Sequence, residues 1–233
     1  IFPAMNLIVS GGHTELVLMN PGRSREGSQR ASTSYGMKDY GEYEVVGETL
    51  DDAVGEAFDK VARLLGLGYP GGPAISARAE QFSISNFQFP ITLPRPMEHS
   101  KDFNFSYSGL KTAVLYKIRE LKEQNIKLTK NVVSELAHAF QEAALDVLVK
   151  KTMKAAEKYK VKSLLLSGGV SANKMLRERL QQEAAELGIN YSCPPMEYTT
   201  DNAAMIAMAG YFSYLKNKKT ELSSVRMDAN LGF

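Results

Sequence analysis

The run Leu164-Leu165-Leu166 constrains the fold more than any other feature of the sequence. Three consecutive large apolar side chains between two stretches with helical periodicity are typical of a strand buried on both faces of a parallel sheet. The preceding stretch, residues 131–159, repeats apolar side chains at helical spacing, and the following stretch, residues 172–187, is closed by Gly188. This order predicts helix, central strand and helix, and therefore an α/β architecture.

The first fifty residues predict three more strands. Residues 6–9 and 14–19 are β-favouring apolar runs on either side of a glycine-rich bend, which predicts a hairpin, and residues 43–46 predict a third strand. Residues 20–41 are polar, basic and without periodicity, which predicts a surface loop or an insertion. Antiparallel strands followed by strand-helix units favour a mixed sheet.

A helix is predicted between the third strand and the centre of the chain. Thr49 is its candidate N-cap, with Asp52 in the reciprocal position of a capping box, and the apolar spacing continues to about Leu65. The glycines and prolines of residues 66–73 end it. Further elements are predicted as helices over residues 110–122 and 200–216 and as a strand over residues 189–193.

The composition excludes several classes of protein. In 233 residues, 44% are hydrophobic, enough for a substantial core, and no run of roughly 18 uncharged apolar residues predicts a membrane span. One cysteine, Cys193, excludes an internal disulfide and a multi-cysteine zinc site, and it favours a reducing, cytoplasmic setting, or a mitochondrial one for an organellar form. The net charge of +2 does not by itself indicate nucleic-acid binding. Because the chain opens on Ile1 without an initiator methionine, we expect a fragment or a processed piece.

Two bends of the same design follow apolar strands. They are Ile8-Val9-Ser10-Gly11-Gly12 and Leu165-Leu166-Ser167-Gly168-Gly169. Paired glycines let backbone N–H groups approach an anion, and the helix after the second bend adds a favourable dipole. A single bend of this kind is more simply a tight turn, but two bends on the strand ends of an α/β sheet favour a phosphate or nucleotide cleft.

Four single residues are candidates for ligand contact, each with a simpler alternative. Asp59 lies on the polar stripe of its helix and would accept hydrogen bonds from ribose hydroxyls, unless it only faces solvent. Gly72, in a segment richer in glycine and proline than a helix end requires, would let a ligand approach the backbone. Asn173 would contact a base or sugar, or else cap its helix, and Asp201 stands at a helix start where an acid is favourable for the dipole alone. The three histidines, of which His138 is expected on the surface, do not pair at metal-binding spacing.

Taken together, these segments resemble one family, the catalytic subunit of the tRNA adenosine threonylcarbamoyltransferase, TsaD, formerly called O-sialoglycoprotein endopeptidase. The resemblance extends over most of the chain, in family order. The segments that carry it are Ser10-Gly11-Gly12-His13-Thr14-Glu15-Leu16, Gly47-Glu48-Thr49-Leu50-Asp51-Asp52, Gly55-Glu56-Ala57-Phe58-Asp59-Lys60, Leu64-Leu65-Gly66-Leu67, Tyr69-Pro70-Gly71-Gly72-Pro73, residues 103–112, Ser167-Gly168-Gly169-Val170-Ser171-Ala172-Asn173 and Thr200-Asp201-Asn202-Ala203.

The resemblance implies the actin/Hsp70/sugar-kinase fold, in which two ribonuclease H-like lobes flank a nucleotide cleft. Residues 1–195 would form the second lobe, and residues 196–233 would return into the first. The implied reaction transfers threonylcarbamoyl from threonylcarbamoyl-AMP to the exocyclic amine of the adenosine beside the anticodon, in tRNAs that read codons beginning with A. AMP leaves.

The resemblance also implies roles for the candidate residues. The implied ligand is an adenylate or ATP, and the segment from Ile8 to Gly12 would hold the phosphate and acyl portion of the adenylate. Asp59 and Gly72 would contact the sugar, Asn173 the nucleoside, and Asp201 a divalent metal, iron or zinc. Paralogous and accessory subunits would be partners, and arginines in residues 94–97 or 20–41 are candidates for tRNA phosphates.

The chain departs from the family pattern in one respect that bears on activity. Two further metal ligands of the family come from a His-x-x-x-His motif upstream of the first bend, and this chain does not include it. Two alternatives therefore stay open beside the transferase. One is a non-catalytic nucleotide-binding or scaffold subunit of the same complex, and the other is a sugar-kinase-like or carbamoyl-transferring relative.

Overall fold

The computed structural model describes residues 1–21, 42–82, 91–215, 221, 223 and 225–227. The loop predicted over residues 20–41 lies outside this part of the chain except for Asn20 and Pro21. The backbone N–H of Asn20 donates to Glu42 O at 3.0 Å, so the chain leaves and re-enters the sheet at one place.

Five strands form one mixed sheet within the described residues. They are β1 (Ala4–Val9), β2 (Thr14–Met19), β3 (Tyr43–Glu48), β4 (Ser163–Ser167) and β5 (Asn190–Ser192). Their order is β3-β2-β1-β4-β5. The first three strands pair antiparallel, whereas β4 is parallel to both β1 and β5. The predicted α/β class with a mixed sheet is confirmed.

Six α-helices accompany the sheet in the described residues. They are α1 (Val54–Leu64), α2 (Gly71–Ala79), α3 (Ser108–Glu123), α4 (Lys130–Lys158), α5 (Lys174–Glu186) and α6 (Ala203–Leu215). Helices α1 to α5 and one face of the sheet share a single core, to which β1 contributes Met5, Leu7 and Val9. These three alternate with Ala4, Asn6 and Ile8, as expected where one face of a strand is buried under helices.

The start of α1 differs from the capping box predicted from the sequence. The helix begins at Val54, and its N-cap, Ala53, provides no side-chain hydrogen bond. The cap comes from β2 instead, because the buried hydroxyl of Thr14 accepts from the N–H of Val54 at 2.8 Å. Thr49 is held in a bridge with Phe105, and its hydroxyl donates to Asp52 O at 2.8 Å, so this segment forms a turn before the helix. A cap from 40 residues away has no local sequence signature.

Helix α2 was not expected. Its first three residues, Gly71, Gly72 and Pro73, look like a helix stop because glycine is a poor helix former. Proline is tolerated in the first turn, where its missing N–H is not needed, and the buried side chains of Ile75 and Ala79 anchor the helix on the core. Tertiary packing therefore overrides local propensity here.

Helix α6 has no buried residue, although its sequence is apolar on all sides. Its most exposed large side chains, Ile206 and Tyr214, are 67% and 66% accessible. None of the helices in the described part of the chain is long and apolar enough to cross a lipid bilayer.

We expect Thr14→Val to destabilise the protein by about 1–2 kcal/mol, because the N–H of Val54 loses its only cap at a buried position. Thr49→Val is the matched control, since it removes a hydroxyl from the residue that the sequence pattern favours as the cap. Urea unfolding followed by circular dichroism measures both. An equal loss of stability in the two variants would contradict the assignment of the cap to Thr14.

Candidate functional site

The two serine-diglycine bends lie side by side. Strands β1 and β4 run parallel with Ile8 opposite Ser167, so the bend after each strand emerges at the same edge of the sheet. Gly168 then packs directly on the backbone of Val9. Carboxyl ends of parallel strands are where open α/β sheets bind ligands, and we name this edge, with the bends 10–12 and 167–169, the candidate edge.

The glycines of the candidate edge fall into two groups. Gly168 has a φ of +89°, and a Cβ there would lie 2.8 Å from the carbonyl carbon of Val9, so this glycine is required by packing. Gly11, Gly12 and Gly169 have no atom within 4 Å of where a Cβ would stand. The open glycines therefore leave backbone accessible to a ligand, whereas Gly168 fixes one bend against the other.

The first bend is held by its own serine. Ser10 Oγ accepts from the N–H of Gly12 at 3.2 Å and from that of His13 at 3.0 Å. Helix α1 abuts the bend from behind, because the N–H of Gly55 donates to Ser10 O at 3.2 Å and a Cβ on Gly55 would lie 2.9 Å from the nitrogen of Gly11. The amino end of α1 therefore adds its positive dipole behind Ser10, which favours an anion.

Asp59 does not simply face solvent. Its Oδ1 accepts from the N–H of Gly71 at 2.6 Å, which joins α1 to the first residue of α2. Gly71 permits this approach, because a Cβ there would lie 2.5 Å from the Cα of Asp59. At Gly72 no atom lies within 4 Å of the position of a Cβ. Gly72 is in the first turn of α2, where a backbone N–H has no partner within the helix. The Asp59 carboxylate and this N–H are an acceptor and a donor one residue apart along the chain from their contact at Gly71, and the two neighbouring hydroxyls of a sugar require such a pair.

Asn173 caps α5, as its simpler alternative predicts. Its Oδ1 accepts from the N–H of Leu176 at 2.9 Å. Its Nδ2 donates to Ser76 Oγ in α2 and to Gln141 Oε1 in α4, both at 3.0 Å. The sequence gives no sign of these two partners, since neither lies in a recognisable motif. The contacts place the start of α5, directly after the second bend, against α2 at Ser76, one turn after Gly72.

Two further segments that carry the family resemblance serve to attach α3. Asp51 accepts from the hydroxyls of Ser106 and Ser108, each at 2.6 Å, and from the N–H of Tyr107 at 2.8 Å. Burial alone would raise the pKa of the Asp51 carboxyl, but these hydrogen bonds together hold its pKa below the ordinary value. Lys151 of α4, 1% exposed, donates to Ser100 Oγ at 2.6 Å beneath the same segment, and burial lowers the pKa of its ammonium group.

Asp201 lies apart from the other candidates. It is exposed, and no hydrogen bond or ion pair within the described residues joins it to the candidate edge. The same residues contain no group of three or more His, Cys, Asp or Glu side chains that could hold a metal ion. The described residues by themselves therefore do not fit a metal site. His138 is half-buried and stacks on Phe82 with ring centroids 4.6 Å apart, which corrects the expected surface position.

Arg95, a candidate for tRNA phosphates, is already bound within the protein. Its guanidinium contacts Asp146 Oδ2 at 2.7 Å and donates to Leu93 O at 2.9 Å. Asp146 also binds Arg179 at 2.8 Å, which ties residues 91–98 to α4 and α5. The other arginine-rich candidate, in residues 20–41, falls in the part of the chain that the structure does not describe.

Two cavities in the described part of the chain lie away from the candidate edge. A cavity of about 330 Å³ lies at the opposite end of the strands, and its lining includes Ala4 of β1 and Ser163 of β4. A second, of about 230 Å³, lies between α4 and α5 and is lined by charged side chains. Neither cavity is lined by a residue of 10–12 or 167–169.

Comparison with known proteins identifies a family. The family model described as TsaD, tRNA N6-adenosine threonylcarbamoyltransferase, matches residues 27–208. Proteins of that name from Thermosipho africanus and Ralstonia pickettii are each 46% identical, over 92% and 90% of this chain and 57% and 54% of the relatives. One from Bacillus cereus is 44% identical over 99% of this chain and 59% of the relative. The chain thus spans little more than half the length of these relatives.

A crystal structure of T. kodakarensis HypF aligns with a TM-score of 0.47 at 16% identity, over 72% of this chain and 22% of that chain. Because that score is low, the fold assignment rests on the family match and on the sheet order.

We expect Gly168→Ala to lower the free energy of unfolding by about 3 kcal/mol, because it combines a strained positive φ with a clash against β1. Gly169→Ala should cost less than about 1 kcal/mol, since no atom opposes the added methyl group. Urea unfolding of the two variants provides the measurement. Equal destabilisation would show that the two glycines do not divide into packing and open positions.

Proposed function

Because the chain belongs to the tRNA N6-adenosine threonylcarbamoyltransferase family, we propose that it forms part of an enzyme that modifies tRNA. The reaction is transfer of threonylcarbamoyl from threonylcarbamoyl-AMP to the exocyclic amine of the adenosine beside the anticodon, in tRNAs that read codons beginning with A. The observation that carries the proposal is the candidate edge, where the two diglycine bends meet and where α1, the helix that carries Asp59, abuts the first bend.

The bends suit the adenylate's mixed anhydride. The amine nitrogen forms a bond to the carbamoyl carbon, the bond from that carbon to the phosphate oxygen breaks, and AMP leaves while the amine loses a proton to solvent. Negative charge on the carbonyl oxygen and the phosphate increases as this happens. The segment from Ile8 to Gly12, with the α1 amino end behind it, and Gly168-Gly169 beside it would stabilise that charge with backbone dipoles.

Asp59 and Gly72 would bind the adenylate's ribose. Gly71 occupies one carboxylate oxygen of Asp59, so the other remains to accept from a ribose hydroxyl, while the N–H of Gly72 would donate to the neighbouring hydroxyl oxygen. The oxygen bonded to Gly71 keeps the carboxylate in place before the ligand arrives. Asn173, at the start of α5, would contact the nucleoside through the second lone pair of its Oδ1.

Asp201 would be one ligand of a divalent iron or zinc ion in the complete protein. An exposed carboxylate at the beginning of α6 is chemically suited to either ion, and its further ligands would come from sequence outside this chain.

Residues 196–233 would pack on a first lobe outside this chain. The support is α6, since a helix that is apolar on all sides is stable in water only when it is covered. The partners of the protein would include tRNA and the paralogous and accessory subunits of the transfer complex.

In the complete protein, Asp59→Ala should weaken adenylate binding by about 1–3 kcal/mol, the cost of losing hydrogen bonds to ribose. Asp201→Ala should abolish transfer and metal binding with little effect on adenylate affinity. Arg63→Ala, exposed on the same helix as Asp59, is the control. Isothermal titration with AMP, metal analysis and a tRNA transfer assay separate the roles. Equal weakening of AMP binding by both aspartate variants would contradict the assignment, and adenylate binding without transfer by the wild type would favour a scaffold subunit.

A further inference from the structure

A polar network joins three helices beneath the candidate edge. Ser76 of α2 donates its hydroxyl to Gln141 Oε1 of α4 at 2.8 Å. Asn173, the N-cap of α5, donates to both of them at 3.0 Å. Gln141 is 2% exposed, and its Nε2 reaches the sulfur of Met175 at 3.8 Å. No other side-chain hydrogen bond among the described residues links α2, α4 and α5 at one point.

The direction of every hydrogen bond in this network follows from one backbone group. The N–H of Leu176 can only donate, so the atom of Asn173 that faces it is the carbonyl oxygen, at 2.9 Å. The amide nitrogen of Asn173 therefore faces Ser76 and Gln141. That nitrogen carries two hydrogens to donate and accepts none, so Gln141 has to face it with its side-chain oxygen. The Ser76 hydroxyl accepts from the same nitrogen and therefore donates its own hydrogen to the Gln141 oxygen. The carboxamide of Asn173 has a single orientation as a result.

We propose that Ser76 and Gln141 are positioning residues, which hold Asn173 in the orientation that binds the nucleoside of the adenylate. This inference rests on the proposed function. Ser76 lies one turn after Gly72 on α2, and Asn173 begins α5 directly after the second bend. The network therefore sets the separation between the Asp59–Gly72 pair and the second bend, the two parts of the site that different helices carry.

Loss of either partner should affect binding more than folding. Without the Ser76 hydroxyl, one Asn173 hydrogen and the Gln141 oxygen lose a partner in a half-buried position. The hydrogen bond from the N–H of Leu176 still holds Oδ1 of Asn173 at the cap, but the amide nitrogen keeps only one of its two acceptors. The plane of the carboxamide can then turn about the Leu176 hydrogen bond. Helix α5 stays capped, while the second lone pair of Oδ1, which would meet the nucleoside, no longer has a fixed direction.

The test compares variants of the complete protein in AMP titration, thermal unfolding and the tRNA transfer assay. Ser76→Ala and Gln141→Leu should each weaken AMP binding about tenfold and raise KM for the adenylate by a similar factor, with kcat changed less. Gln141→Glu keeps the accepting oxygen and should restore most of the affinity that Gln141→Leu loses.

Ser134→Ala is the matched control. Ser134 is a buried serine whose hydroxyl donates within its own helix, to Lys130 O at 3.0 Å, and it lies on α4 without a hydrogen bond to Asn173. The Ser134→Ala variant should lower the melting temperature as much as Ser76→Ala does, without changing the affinity for AMP. Unchanged AMP affinity in Ser76→Ala and Gln141→Leu, or equal weakening in Ser134→Ala, would overturn the positioning role. Failure of the wild type to bind AMP would instead overturn the proposed function, and the inference with it.

Discussion

The parallel pairing of β1 with β4 is the constraint on which the rest of this structure depends. These strands are far apart in the sequence, and their register, with Ile8 opposite Ser167, places two bends of the same design at one edge. Gly168 fixes this arrangement, because only a residue without a side chain allows the second bend to rest on the backbone of Val9. The helices then follow, since α1 abuts the first bend and α5 begins just after the second.

The groups of the candidate site are held by hydrogen bonds within the protein. Asp59 is held by Gly71, Ser10 by the N–H groups of its own bend, and Asn173 by two helices. Each of these contacts uses part of the hydrogen-bonding capacity of a group and leaves another part for a ligand. Groups held in this way lose little conformational entropy on binding, which favours both affinity and selectivity. Stability and recognition are in this sense provided by the same atoms.

The sequence alone predicted the elements whose pattern is local. The apolar run of β4, the hairpin of β1 and β2, the long helix α4 and the end of α5 at Gly188 all carry periodicity or glycine signals within a few residues. Prediction from the sequence failed where a residue distant in the chain determines the local structure. The cap of α1 is provided by Thr14 and not by Thr49, and α2 forms despite its glycines because Ile75 is buried on the core.

The partners of Asn173 were beyond sequence reasoning for the same reason. Ser76 and Gln141 are ordinary polar residues in helices, and only the packing of those helices brings them to Asn173. The family resemblance implies a nucleoside contact for Asn173, which stays a prediction, but it does not imply which residues hold its side chain.

Helix α6 has a practical consequence for any preparation of this chain. Four large apolar or aromatic side chains of this helix are more than half accessible: Ile206, Met208, Tyr211 and Tyr214. Such an exposed apolar surface favours association between molecules. The net charge of +2 gives little electrostatic repulsion to oppose it. The tendency of the chain to self-associate in solution should therefore be determined by this one helix. Turbidity that increases with protein concentration and with sulfate, and that mild detergent clears, would be its signature in the test tube.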